Sequence, residues 1–284
     1  MRSSLRCWVP GGFVRARALA VVVLCASPGC SYLPQYVPPP PASAVEKLEK
    51  PPFKYESLNV RNSCFVESVH FYDEYLAKER GGERTWARVL QWGNQEGDFK
   101  LNSGHAVTVF VAKERLWAYD INFSVRPVDL PIDRRADITD VAPKIFERYP
   151  QFSPVFARYR DDFPQKPAEK RPEFLFYHAN EDVRDATRVA HELGRFRPVS
   201  VFEFELPKDS AKETACGVAF LFGRRVCLYF PRTGTHVSPP FRGDADDIKY
   251  VTAVTKRLFK GAENVRWQPG GYLFFPPGEA KGIK

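Results

Sequence analysis

Residues 103–122 read SGHAVTVFVAKERLWAYDIN, and this stretch decides the fold. Two runs rich in β-branched and aromatic residues, His105 to Val111 and Leu116 to Asn122, flank the segment Ala112-Lys113-Glu114-Arg115. Their composition and alternation predict two antiparallel strands joined by a tight turn. With a two- or four-residue turn, Ala112 opposes Arg115, Val107 opposes Asp120 and His105 opposes Asn122. Opposed residues share a face about 5 Å apart, and diagonal ones lie about 7 Å apart. His105, Asp120 and Asn122 then point the same way, whereas a three-residue turn sends Asp120 to the other face.

Upstream, Asn62-Ser63-Cys64 opens a helical pattern in which Phe65, Val69, Tyr72 and Leu76 mark one buried stripe. Glu67, His70, Asp73, Glu74 and Lys78 fill the other directions, and Asn62 or Ser63 can cap the start. The spacing of Trp86, Val89 and Leu90 predicts a second helix from Glu83 to Trp92. Downstream of the hairpin a looser, proline-dotted region leads to a helix near Ala142–Tyr149. The polar, proline-rich segment Pro164–Pro172 marks a boundary. Beyond it the pattern predicts a strand at 173–177, a helix at 181–193, a strand at 198–206, a hairpin at 218–230, a helix at 245–259 and a last strand at 272–275. The chain is therefore α+β. The run Val107–Tyr119 resembles Val218–Phe230, and each precedes an Ala-Asp helix start. The two are either a degenerate duplication, with Asp120 falling on Pro231, or hairpin-plus-helix units alike by chance.

Cys64, His105 and Asp120 have physical reasons to act together. A cysteine in the first turn of a helix faces unpaired amides and the positive end of the dipole, which favour a thiolate. An acid or amide that holds one imidazole nitrogen leaves the other free to exchange a proton with a thiol. The order of a cysteine at a helix start, Gly104-His105-Ala106-Val107 on a strand, and Trp117-Ala118-Tyr119-Asp120-Ile121-Asn122 a hairpin later resembles the transglutaminase-like and papain-like cysteine peptidase superfamily. The likeness covers residues 60 to about 125, with Phe65 where the family commonly has tryptophan. It implies a nucleophile helix packed on an antiparallel sheet at 55–165, with an α+β extension at 170–284. It implies Cys64 as nucleophile, His105 as base and Asp120 as orienter, with Asn122 as an alternative orienter and Asn62 or Gln91 as oxyanion donors beside the Cys64 amide. The reaction expected is hydrolysis of an amide bond or acyl transfer to an amine. The substrate expected is a peptide or protein amide, a peptidoglycan stem peptide included.

The N-terminus carries Arg2, Arg6, Arg15 and Arg17, then the apolar run Ala18 to Ala26, then Ser27-Pro28-Gly29-Cys30. A basic start, a short apolar stretch and a small-residue end predict a secretory signal over residues 1–30. The stretch is shorter than the roughly 20 apolar residues a bilayer crossing needs. Gly29-Cys30 resembles the lipobox of bacterial lipoproteins, which implies a lipid on Cys30 and attachment to a cell-envelope membrane. Residues 31–54, with Pro38 to Pro41, predict a semi-rigid spacer and folded structure from about Pro52.

The chain has 42 basic and 34 acidic residues, a net +8. Loss of residues 1–30 leaves 38 against 34, or +4, with no clustered basic face of the kind nucleic acid requires. No zinc spacing, phosphate loop or dinucleotide fingerprint appears, so no cofactor is expected. Cys216 and Cys227 read as buried thiols, since the hairpin places Cys227 opposite about Leu221. The alternative to an enzyme is a non-catalytic envelope lipoprotein that uses the fold for binding or assembly, with Trp92 or Trp267 exposed to a partner.

Overall fold

The computed structural model describes residues 50–79, 85–93, 104–150, 154, 156–160, 180–208, 211–240 and 247–268. The signal segment, Cys30, most of the spacer, the boundary at 164–172 and the strands expected at 173–177 and 272–275 lie outside them.

The described chain is α+β, with two five-stranded antiparallel sheets. The first unit comprises α1 (Cys64–Lys78), β1 (Ala87–Gly93), β2 (Gly104–Ala112), β3 (Arg115–Asp120), β4 (Ser124–Pro127), α2 (Ile138–Phe146) and β5 (Phe156–Arg160). The second comprises α3 (Glu181–Leu193), β6 (Val199–Lys208), β7 (Ala211–Phe222), β8 (Arg225–Phe230), β9 (Gly234–Val237), α4 (Asp247–Leu258) and β10 (Glu263–Trp267). The strand orders are β4-β3-β2-β1-β5 and β9-β8-β7-β6-β10, so the second unit repeats the topology of the first element for element.

Side-chain alternation in each sheet feeds two cores. Val89, Ala106, Phe110, Trp117 and Tyr119 of the first sheet join α1, α3 and the inner face of the second sheet in one central core. Leu90, Trp92, Val107, Val109, Leu116 and Ala118 face the other way, onto α2. Phe202, Phe204, Ala219, Leu228 and Phe230 face α4 in the same manner. The layers therefore run α2, first sheet, α1 with α3, second sheet, α4.

This layering explains the principal error of sequence reading. Residues 87–93 are strand β1, not the end of a helix over 83–92. β1 lies between β2 and β5 with both faces covered, so Val89 and Leu90 are both buried and no polar alternation survives to mark a strand. The short strands β4, β5 and β10 carry too little pattern to be seen. Helix α3 matches its expected bounds, and α2 and α4 fall within a few residues of theirs. No described helix is long and apolar enough to cross a membrane.

Helix α1 is enclosed on nearly every side, so the residues read as polar directions are buried too: Glu67, His70 and Asp73. Each buried polar group needs a partner. Glu67 accepts from Tyr55 Oη at 2.7 Å, Ser57 Oγ at 2.6 Å, Tyr119 Oη at 3.3 Å and the Asn59 amide at 3.2 Å. Those donors draw the extended segment 53–60 onto the helix, where Phe53, Leu58 and Val60 are buried. Burial pushes the His70 pKa down to about 4, so the ring is neutral at pH 7 and lies beside Tyr55 Oη at 2.7 Å from Nδ1. Asp73 receives both Nε (2.8 Å) and Nη2 (2.5 Å) of Arg197 from the second unit, and Arg197 Nη1 donates to the Leu221 carbonyl at 2.6 Å.

Removing one partner of a buried ion pair strands the other charge and costs about 3–5 kcal/mol, while replacing both with apolar groups is often neutral. Arg197→Ala is expected to lower unfolding free energy by about that amount, and Asp73→Leu with Arg197→Met to recover most of it. Urea denaturation of the two variants checks this.

Candidate active site

The turn between β2 and β3 holds two residues, Lys113 and Glu114, and pairs Ala112 with Arg115. Both turn residues have positive φ, 49° and 56°, the backbone of a type I′ hairpin whose twist matches the strands. Thr108 pairs with Tyr119, so Val107 and Asp120 fall opposite each other, as the two-residue turn requires. His105 continues the row of Val107 and Val109, and Asp120 the row of Leu116 and Ala118, so both lie on one face.

His105 Nε2 lies 3.1 Å from Asp120 Oδ1, a carboxylate that is fully buried. Burial by itself disfavours a charged ring, but the charge of Asp120 and its hydrogen bond, with a smaller contribution from Cys64, outweigh it and raise the His105 pKa to about 10. Burial pushes the Asp120 carboxyl upward, while His105, Tyr149 and the Asn122 amide more than offset it and hold it below its ordinary value. The two form an ion pair at neutral pH, with the carboxylate buried and the ring partly exposed.

Tyr149, which sequence reasoning missed, completes the pair. Its hydroxyl donates to Asp120 Oδ2 at 2.5 Å and lies 2.9 Å from His105 Nε2. Burial and the neighbouring Asp120 charge raise its pKa far above the usual phenol range, so the proton stays on oxygen. The His105 ring packs edge-on to Trp92, with centroids 4.9 Å apart. Trp92 also meets Tyr149 and Phe146, the last residue of α2. Trp92 is 1% exposed and cannot reach a partner protein, which corrects that expectation. Trp267 is half-buried against Phe202.

Cys64 opens α1, with Ser63 at the N-cap but no side-chain bond capping the first turn. Ser63 Oγ donates back to the Val60 carbonyl instead. The Cys64 sulfur lies 4.0 Å from the carbonyl oxygen of Gly104, the residue before His105, and is near enough to the His105 ring to bear on its titration. Since Nε2 faces Asp120 and Tyr149, Nδ1 is the nitrogen left for the thiol. Cys64 is partly exposed, unlike Cys216 and Cys227, which are buried.

The remaining candidates divide. Asn122 does not hold His105: its amide donates to Asp120 Oδ1 at 2.9 Å and its side chain to Tyr149 Oη at 3.2 Å, because the chain leaves the strand at Asp120 and turns. Asn62 donates to the Pro231 carbonyl at 2.8 Å, which commits its side chain to the second unit. Gln91 lies on β1 opposite Ala106, and its carbonyl oxygen accepts from Arg160 at 2.6 Å, which leaves the Nε2 end as the donor. Of the two side chains expected to serve an oxyanion, Gln91 is the one not already spent. No group of three or more described His, Cys, Asp or Glu residues could hold a metal ion.

The described residues of the second unit hold no matching ion pair. Its hairpin also has a two-residue turn, Gly223-Arg224, and pairs Phe222 with Arg225. Matching the turns aligns His105 with Ala215 and Asp120 with Phe230; the sequence match to Pro231 was one residue out because apolar runs align in either register. The counterpart of Trp92 is Phe204, which pairs with Ala215. Phe204, Phe230 and Phe259 pack together with ring centroids 5.1 to 6.1 Å apart, an apolar plug where the first unit has its ion pair. The same register places Cys227 opposite Phe220 rather than Leu221. A hollow of about 400 Å³ lined by Leu206, Arg232, Phe259 and Lys260, among others, belongs to this second unit and shares no residue with the Cys64 site.

No protein-family model, curated protein or solved structure matches this chain.

Two measurements test the ion pair. A histidine whose folded pKa is raised from 6.5 to about 10 contributes stability that is full below pH 6.5 and is lost as pH rises through 10. The stability advantage of wild type over His105→Gln, read from urea melts, is therefore expected to shrink between pH 6.5 and pH 10. Asp120→Asn removes the charge that opposes burial, so ring-proton NMR should show His105 titrating several units lower, at or below its ordinary value of 6.5.

Proposed function

We propose that residues 55–165 form a transglutaminase-like or papain-like cysteine peptidase core, and that the protein cleaves or transfers an amide bond through a Cys64-His105-Asp120 triad. The observation that carries this reading is the arrangement around His105: Nε2 is held by Asp120 and Tyr149, while the sulfur of a partly exposed cysteine at a helix start lies 4.0 Å from the carbonyl oxygen of the preceding residue, Gly104. A base oriented on one side and coupled to a thiol on the other is the arrangement nucleophilic catalysis requires.

The chemistry follows from the atoms. In the reactive form the proton of the Cys64–His105 pair sits on His105 Nδ1, and Asp120 balances its charge. Cys64 sulfur attacks the carbonyl carbon, and the oxyanion is met by the Cys64 amide and Gln91 Nε2. His105 gives its proton to the departing amine, leaving a thioester. Water, or a second amine, then gives up a proton to His105 and displaces the sulfur. Tyr149 donates to Asp120 throughout and keeps the carboxylate ionised and fixed.

The N-terminal signal pattern and Cys30 support an exported, lipid-anchored protein acting in the cell envelope on peptide, protein or peptidoglycan stem-peptide amides. The matching topology of the two units, with Ala215 and Phe230 in the second where the first has His105 and Asp120, supports a diverged second copy that has given up catalysis.

Iodoacetamide labelling of Cys64 at pH 7, followed by peptide mass spectrometry, tests the site. Labelling is expected to slow at least tenfold in His105→Ala, and turnover of model peptide amides to vanish in Cys64→Ala. Equal labelling rates in wild type and His105→Ala would remove the triad.

A further inference from the structure

Two of the three residues before Cys64, Arg61 and Asn62, leave their own unit to find partners. Arg61 reaches α3, with Nε donating to Asp185 Oδ2 at 2.7 Å and Nη2 to Asp182 Oδ1 at 2.9 Å. The other oxygen of Asp182 is taken by Arg232 Nε at 2.5 Å, and Arg232 Nη2 bonds Glu213 at 2.6 Å. The Arg61 carbonyl accepts from Tyr229 Oη at 2.6 Å. Asn62 has φ 51°, in the left-handed region, and donates to the Pro231 carbonyl at 2.8 Å. Main chain and side chains on the approach to the nucleophile are thus tied to β8, to the turn after it and to α3.

The turn is informative. Residues 121–123 follow β3 and 231–233 follow β8, so they occupy equivalent places in the two units. In the first unit that turn supplies the Asn122 amide that steadies Asp120. In the second it supplies Pro231 and Arg232, which hold Asn62 and, through Asp182, Arg61. The same turn of the fold serves the acid in one unit and the approach to the nucleophile in the other.

We propose that the second unit is a positioning unit for the nucleophile: Tyr229, Pro231 and the Asp182–Arg232 pair fix the backbone at Arg61-Asn62 and thereby aim Cys64 and its amide. The first turn of α1 has no side-chain cap, and its local bonds, Ser63 Oγ to the Val60 carbonyl and Ser68 Oγ to the Cys64 carbonyl, leave the Arg61 carbonyl and the Asn62 side chain to the second unit. This inference rests on the triad reading for its catalytic meaning, though not for its structural test.

The test uses the full chain in detergent, with Tyr229→Phe and Asn62→Gly as variants. The first removes one hydroxyl, and the second keeps a left-handed backbone accessible while deleting the side-chain bond. Arg197→Met is the comparison, because it loosens the second unit from α1 at Asp73, far from Cys64. Hydrogen exchange is followed over residues 60–70, and Cys64 labelling by iodoacetamide is followed in wild type and in the His105→Ala background. Faster exchange at 61–66, labelling slowed about fivefold or more, and a shrunken His105 effect are expected in Tyr229→Phe and Asn62→Gly. Arg197→Met should lower the melting temperature and leave the labelling rate of the folded protein unchanged. Unchanged exchange at 61–66 in both variants overturns the positioning role whether or not the thiol is reactive. So does equal slowing in Arg197→Met, which would make the effect general loosening. Labelling that ignores His105 in wild type, with exchange responding as expected, would sink the triad and leave the clamp standing.

Discussion

The enclosure of α1 is the constraint on which the rest depends. A helix covered on one face needs one apolar stripe; a helix covered by two sheets and a neighbouring helix must also find a partner for every polar side chain it keeps. Glu67 has four donors, and Asp73 has a bidentate arginine from the second unit. These contacts draw in the N-terminal segment at one point and lock the two units together at another. Cys64 sits where this enclosed helix emerges, at its first residue, so its surroundings are set by the most constrained element of the fold.

Much of this was legible in the sequence, for identifiable reasons. The stripe Phe65, Val69, Tyr72 gave the face of α1 and the parity of a two-residue turn put His105 and Asp120 on one face, because both depend on local spacing. What failed depended on distant packing. β1 carries no alternation because it is covered twice, so Val89 and Leu90, with Trp86 just before the strand, mimic a helix. Burial of Glu67, His70 and Asp73 could not be read from α1 alone, since their partners lie on other elements. Tyr149 bears on Asp120 from 29 residues downstream and belongs to no motif, although an aromatic with a polar tip just beyond a helix is a fair prompt to ask what its hydroxyl reaches. The assignment of Asn62 and Asn122 to other tasks likewise rests on atoms that only the folded chain brings near.

The two units show what a buried charge asks of a scaffold. At equivalent positions one holds His105, Asp120, Trp92 and Tyr149, and the other holds Ala215, Phe230, Phe204 and nearby Phe259. The apolar set needs only to fill space. The polar set needs a hydroxyl, a main-chain amide and an edge-on indole to keep one ion pair in place, because a half-satisfied buried network is worse than none. The contrast supports the reading of the first unit as the one kept for chemistry, with the second free to specialise in support.

The hairpin turn at Lys113-Glu114 reaches further than its two residues. Across an antiparallel pair, side chains change face with every step, so His105 and Asp120 share a face only while an odd number separates them in the numbering. A single codon gained or lost in that turn would exile the carboxylate to the α1 side without altering any residue of the site, whereas a change of two codons restores the parity. Length variation between the histidine and the acid is therefore quantised: among descendants that keep this pair, the interval should drift in twos, and an even interval is a mark of a chain that has let the pair go.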